Sequence, residues 1–124
     1  MPVRSLNSSV IKWPEADNVI AAVSQWAREA AGRHPRVVRI GIFGSYATDA
    51  WGVGSDVDLI IIVEESDRPF EERSLEWNTV DLPVPADVLV YTKQEWASMK
   101  QQGRRITHGQ VGWVYGPPES SNAR

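Results

Sequence analysis

Three aspartates and one glycine–serine pair carry most of the chemistry available to this chain. Asp56 and Asp58 flank a single valine and lead directly into Leu59-Ile60-Ile61-Ile62-Val63. On a strand, residues two apart share a face. The two carboxylates would therefore project side by side, with Ile60 and Ile62 continuing that face into a core. Adjacent carboxylates repel, and each ionises reluctantly without a cation. A divalent ion removes the conflict, and an oxygen-rich site of this kind suits Mg²⁺, which keeps several waters and shares its sphere with phosphates. Gly44-Ser45 is separated from Asp56 by ten residues and follows directly on the apolar run Val37–Phe43. Glycine lets the backbone approach a phosphate closely, and free N–H groups at such a turn, with the Ser45 hydroxyl, form an anion site. Asp87 opens a third apolar run, Ala86–Tyr91, with Leu89 and Tyr91 on its own face. If that run lies beside the one carrying Asp58, the three acids can hold two metals roughly 3.5–4 Å apart. An anion cradle facing metal-binding acids is the minimum equipment for handling a nucleoside triphosphate.

The elements that must position these groups follow from hydrophobic spacing. Val19, Ile20, Val23, Trp26, Ala27 and Ala30 recur at intervals of three and four, the face of a helix that starts near Pro14 and stops at Gly32. Val37–Phe43 and Asp56–Val63 read as buried strands, joined by a glycine-rich turn at 44–54 with one helical turn near 46–50. Glu64–Pro69 reads as an exposed loop. Phe70 to Trp77 reads as a short helix with Phe70 and Trp77 facing inward. Pro83 and Pro85 stand at the entrance of the third strand, where proline is tolerated. Thr92-Lys93-Gln94-Glu95 is a capping box that starts a helix through Trp96 and Met99, ended by Gly103. A last structured piece is expected at Gln110–Tyr115, ended by Gly116-Pro117-Pro118. One domain is expected over 1–124, with its core at about 14–116 and loosely held ends at 1–12 and 117–124.

Composition narrows the functional classes. The chain has 124 residues and no cysteine, which removes disulfides, thiolate zinc sites and cysteine nucleophiles. Two histidines are too few for a His-rich metal cage. Thirteen basic and sixteen acidic residues give a net charge of −3, which argues against extended nucleic-acid binding, whose affinity rests on many cationic contacts to phosphate. No apolar run approaches the roughly 20 residues of a spanning helix, and no signal peptide is visible at Met1-Pro2-Val3-Arg4-Ser5. A cytoplasmic location with no membrane contact is the expectation.

The run Ile42-Phe43-Gly44-Ser45-Tyr46-Ala47, followed by Gly54-Ser55-Asp56-Val57-Asp58-Leu59-Ile60 and then by Ala86-Asp87-Val88-Leu89-Val90, resembles the nucleotidyltransferase superfamily of DNA polymerase β type. The likeness is greatest to its small stand-alone minimal nucleotidyltransferase domain proteins, and it spans roughly residues 36 to 116. The resemblance implies an α/β (α+β) nucleotidyltransferase fold: a small mixed β-sheet with helices packed on one side. It implies that Asp56 and Asp58 bind two Mg²⁺ ions, that Gly44 and Ser45 hold the β- and γ-phosphates of ATP or another NTP, and that Asp87 binds the catalytic metal and helps deprotonate an acceptor hydroxyl. The reaction would transfer a nucleoside monophosphate and release pyrophosphate. Small proteins of this look are often paired with HEPN-domain partners in toxin–antitoxin modules, where a partner tyrosine is modified. A partner protein is therefore the expected acceptor, with a small aminoglycoside-like molecule as the other enzymatic reading and a catalytically weak binding protein as the non-enzymatic one.

One departure motivates the last reading. Many small members carry arginine three residues after the serine; here Thr48 and then Asp49 stand there. Arg39, Arg68, Lys93, Arg104 and Arg105 are the candidates to compensate. Asp81 is the rival to Asp87 as third acid, but the apolar strand follows Asp87. Trp26, Trp77, Trp96 and Trp113 read as core, Trp51 as loop packing, His34 and His108 as surface residues, and Glu64-Glu65 and Glu71-Glu72 as solvated charge.

Overall fold

A computed structural model describes residues 16–44, 56–104 and 111–116. Helix α1 spans Ala16–Arg33 and strand β1 Val37–Phe43. Strand β2 spans Val57–Val63. A single helical turn, α2, at Phe70–Arg73 runs into a 3₁₀ turn at Ser74–Glu76. Strand β3 (Ala86–Thr92), helix α3 (Lys93–Gln101) and strand β4 (Gly112–Tyr115) complete the order. The expected short helix over 70–77 is thus split in two.

The sheet order is β3-β2-β1-β4. β1 is antiparallel to both β2 and β4, whereas β2 and β3 run parallel. The sheet is therefore mixed, as expected, and β2 lies inside it. That position explains its composition: a strand covered on both faces reads as a continuous apolar run. Its odd residues, Val57, Leu59, Ile61 and Val63, pack with Val19, Val23, Trp26, Ala27 and Ala30 of α1. Its even residues, Ile60 and Ile62, pack with Trp96 and Met99 of α3. The long helix covers one face, and α3 lies over the other. The expectation of helices on one side describes α1 but not α3. Among the described residues, no helix is long and apolar enough to cross a membrane.

The segment between β2 and β3 is held by a few specific contacts. Trp77 is buried against α1 with its ring 6.4 Å from that of Trp26, whose indole N–H donates to the Asn78 carbonyl at 2.8 Å. His34 stacks on Trp77 at 4.1 Å, so it is a packing residue and not a free surface one. Phe70, expected to face inward, remains 40% exposed and stacks on Tyr91 at 5.1 Å. Trp26 and Trp96 are buried, and Trp113 is half-buried over Gly41.

Arg73 is the buried charge of this segment. Its guanidinium forms a two-pronged pair with Glu95, at 2.6 and 3.0 Å, and donates to the Val90 carbonyl on β3 at 3.1 Å. Such paired, charge-assisted bonds are the stronger kind. Glu95 also completes the capping box of α3: it accepts from the Thr92 N–H at 2.9 Å, while the Thr92 hydroxyl accepts from the Glu95 N–H at 3.1 Å. One carboxylate joins the start of α3 to the crossover. The Arg73 partnership holds the Glu95 carboxyl below its usual range, aided by the bonds from Thr92.

Candidate active site

The register of the sheet brings the acids together. Asp58 stands opposite Phe43 of β1 on one side and opposite Asp87 of β3 on the other. Alternation puts Asp58 on the face of Ile60 and Ile62, the face on which Asp87 precedes Leu89 and Tyr91. Parallel pairing aligns the starts of β2 and β3, and the Val57 N–H donates to the Pro85 carbonyl at 2.9 Å to fix that alignment. Asp87, not Asp81, is therefore the register neighbour of Asp58.

Asp58 is half-buried, whereas Asp56 and Asp87 are exposed. Burial, then the charge of Asp87, then that of Asp56, push the Asp58 carboxyl above its ordinary value. The two neighbouring carboxylates thus act on Asp58 electrostatically, and each disfavours its ionised form.

Gly44 closes the other side. It follows β1 with φ +80°, a conformation that residues with a Cβ seldom adopt. A Cβ built there would fall inside van der Waals contact of Asp58 Oδ2 and lie 3.3 Å from Cγ. Glycine at this position lets the backbone press against the acid, so Gly44 and Asp58 are direct neighbours. Ser45, Thr48, Asp49 and Trp51 lie outside the described residues.

A cleft of about 540 Å³ opens on Asp58 and Asp87. Phe43, Ala86, Val88 and Leu89 give it apolar walls, and the crossover adds Ser74, Trp77 and Thr79. The Trp77 indole N–H is buried without a hydrogen-bond partner; nothing in the structure explains it. A second cavity, of about 370 Å³, lies at the opposite end of the sheet between the end of α1 and residues 65–68. Its charged groups largely pair with one another (Arg36 with Glu65, Arg68 with Glu76) and it contains none of the three aspartates.

A model of the nucleotidyltransferase domain matches residues 24–107. The chain belongs to the nucleotidyltransferase domain family. Among solved structures, a candidate nucleotidyltransferase from Sulfolobus solfataricus superposes with a TM-score of 0.55 and 17% identity, over 70% of this chain and 75% of that one. A toxin–antitoxin structure with AMP-PNP superposes at 0.51 and 14% identity, over 84% and 78%. A complex of tri-AMPylated HEPN toxin with MNT antitoxin from Shewanella oneidensis reaches 0.48 and 16% identity, over 88% and 79%. At such identities the likeness concerns the fold. Comparison with curated proteins found no match.

The carboxylates of Asp56, Asp58 and Asp87 are the oxygen donors that a hydrated divalent ion would take. Among the described residues no group of three or more acidic or histidine side chains is placed to hold a metal ion, Asp56, Asp58 and Asp87 included. An ion that retains water and shares its sphere with substrate phosphates needs only an open set of carboxylates, and the strained ionisation of Asp58 is what such an ion would relieve. The missing cation after Ser45 is not replaced from the described residues. Arg39 lies over Trp113 at 5.2 Å, Arg68 pairs with Glu76, and Lys93 pairs with Glu64 at 3.3 Å. None of them lines the cleft, nor does Arg104, which borders a groove beside Tyr91. Arg105 and His108 lie outside the described residues. Sequence reasoning missed Ser74 and Thr79, small polar residues in a loop with no motif to single them out.

Proposed function

We propose that this domain is a Mg²⁺-dependent enzyme that moves a nucleoside monophosphate from ATP or another NTP to a hydroxyl on a partner protein. The observation that carries this reading is the alignment of Asp58 with Asp87 on adjacent parallel strands, with the Gly44 backbone pressed against Asp58. Asp56 and Asp58 would hold Mg²⁺ and Asp87 would share it. Bound there, the ion supplies charge neutralisation for the phosphates and lowers the pKa of a coordinated hydroxyl. The chain's own groups do the positioning. Gly44, with Ser45, would present donors to the β- and γ-phosphates and hold the leaving pyrophosphate. Asp87 would accept the proton of the acceptor hydroxyl as its oxygen attacks the α-phosphorus. The new oxygen–phosphorus bond forms as the bond to the β-phosphate oxygen breaks, and pyrophosphate departs. Such an in-line displacement is accelerated chiefly by positioning and charge stabilisation.

A toxin–antitoxin context with a partner protein is supported by the fold shared with the toxin–antitoxin structure that contains AMP-PNP; the HEPN-type partner and its role as acceptor follow from the sequence resemblance. One observation favours a second reading, a nucleotide-fold protein with weak or lost catalysis: among the described residues no lysine or arginine lines the cleft at the acids. Incubating the full chain with α-labelled ATP and Mg²⁺ in lysate of its host, beside Asp58→Ala, separates the two. A labelled protein band seen only with the unsubstituted chain is expected. Absence of both labelling and ATP binding would leave the non-catalytic reading.

A further inference from the structure

The cleft that opens on Asp58 and Asp87 has two hydroxyl residues of the chain itself in its wall, Ser74 and Thr79. Both are half-buried, and both come from the crossover between β2 and β3. They share with the acids a space of about 540 Å³. A compact space of that size is roughly 10 Å across, and a phosphate seated at the acids takes up about half of it, which leaves the wall hydroxyls close to the roughly 3–3.5 Å at which an entering oxygen attacks phosphorus. The hydroxyls of Ser66, Thr92 and Ser98 are placed differently: each accepts a hydrogen bond, and each borders another cavity. We infer that Ser74 is a self-modification site: the domain transfers a nucleoside monophosphate to the Ser74 hydroxyl of the same chain. The inference rests on the transferase reading above and departs from it in the acceptor, which is the chain's own.

Two features single out Ser74 over Thr79. Its hydroxyl is primary and less crowded than that of threonine. Its backbone is also fixed against the strand that carries Asp87. The preceding residue, Arg73, donates to the Val90 carbonyl of β3 at 3.1 Å and pairs with Glu95, and the N–H of the buried Trp77 donates to the Ser74 carbonyl at 3.1 Å. Holding a nucleophile in place before reaction removes much of the entropic barrier to attack. A serine hydroxyl is a weak nucleophile until an adjacent base takes its proton, and Asp87 lines the same cleft. The bond from Ser74 Oγ to the α-phosphorus forms as the bond from that phosphorus to the bridging oxygen breaks. Pyrophosphate leaves with the electron pair, and the hydroxyl proton passes to Asp87. The product is a phosphodiester on Ser74. Its nucleoside stands in the cleft before the acids, so each chain is modified once.

The test incubates the purified full chain, with no other protein, in Mg²⁺ and α-labelled ATP, and reads intact mass and tandem mass spectra of its peptides. The chain should gain one AMP, mapped to Ser74, at a first-order rate that stays constant over a tenfold range of chain concentration. Ser74→Ala should cut the label at least tenfold while its Kd for Mg·ATP from calorimetry stays within twofold, which also reports that the variant is folded. Ser74→Thr, which keeps a hydroxyl, should restore part of the label. A chain that binds Mg·ATP and keeps its own mass would overturn the inference; labelling of another protein in host lysate by that same chain would leave the transferase reading standing. Label that maps to Thr79 or elsewhere, survives Ser74→Ala, or forms at a rate proportional to chain concentration would overturn it too, as would loss of Mg·ATP binding in Ser74→Ala. Failure of the unsubstituted chain to bind Mg·ATP would instead overturn the transferase reading, and this site with it.

Discussion

Asp58 should be a residue whose charge weakens the fold that holds it. Its carboxyl is pushed up by burial and by two neighbouring acids, so the folded chain binds a proton there more tightly than the unfolded chain does. Stability linked to that proton is present in full below the unfolded value, about pH 4, and is lost as pH rises through the folded value. At neutral pH the ionised group is therefore a net cost. Its size can be bounded from the register. Asp87 sits on the adjacent strand and Asp56 two residues back on the same face, each about 6 Å away by strand geometry. Both neighbours are exposed, so an effective dielectric of about 40–80 applies. Each pair then contributes about 0.7–1.4 kcal/mol before screening, and about half that at physiological salt. Two pairs plus partial desolvation give about 1–2 kcal/mol. Asp58→Asn removes the charge and keeps the shape. In chelator at pH 7 it should melt about 3–6 °C higher than the unsubstituted chain, and the gap should close below about pH 4. Adding about 10 mM Mg²⁺ should raise the melting temperature of the unsubstituted chain and leave that of Asp58→Asn nearly unchanged. A variant that melts lower at pH 7, or a gap that persists in acid, would refute the electrostatic account and make the carboxylate a structural hydrogen-bonding group.

Three further outcomes can be checked with the same equipment. Gly44→Ala combines an unfavourable φ with a clash against Asp58; it should lower stability by about 1–2 kcal/mol and abolish Mg·ATP binding in calorimetry. Asp87→Asn should leave Mg·ATP binding within a few-fold and remove label transfer; equal loss of both would assign Asp87 to nucleotide binding. Glu95 is held below its usual range by Arg73, so its contribution is present above about pH 4.5 and lost as pH falls through the folded value. Because the carboxylate is 42% exposed, Glu95→Gln should cost only about 1 kcal/mol at pH 7, and its melting temperature should fall less between pH 6 and pH 3, read by circular dichroism.

The strands were legible because three of them are continuous or alternating apolar runs with glycine or proline at their ends. Asp87 could be preferred to Asp81 because only Asp87 leads into such a run, and register then set it beside Asp58. The start of α3 was legible because both halves of its cap lie within four residues, Thr92 to Glu95. What escaped was non-local. Arg73 follows Glu71-Glu72 in a stretch that reads as solvated charge, and its partner stands twenty-two residues later. The coverage of both sheet faces escaped because helical periodicity shows which side of a helix is apolar, not which face of a sheet it meets. Phe70 was misplaced because one apolar residue among charged neighbours carries no period, and its ring found Tyr91 at the edge of the core.

The Arg73 contact with Val90 has a consequence for how copies of this chain meet. Among the described residues β3 is an outer strand, and outer strands offer unpaired backbone groups to any other strand that drifts alongside. The guanidinium already occupies one of those carbonyls and sets a bulky charge on the border. An incoming strand would have to displace a partly buried ion pair before it could add to the sheet. The residue that ties the crossover to α3 is thus also a guard against edge-to-edge assembly, and its loss should show as oligomers in light scattering at temperatures below the melting transition.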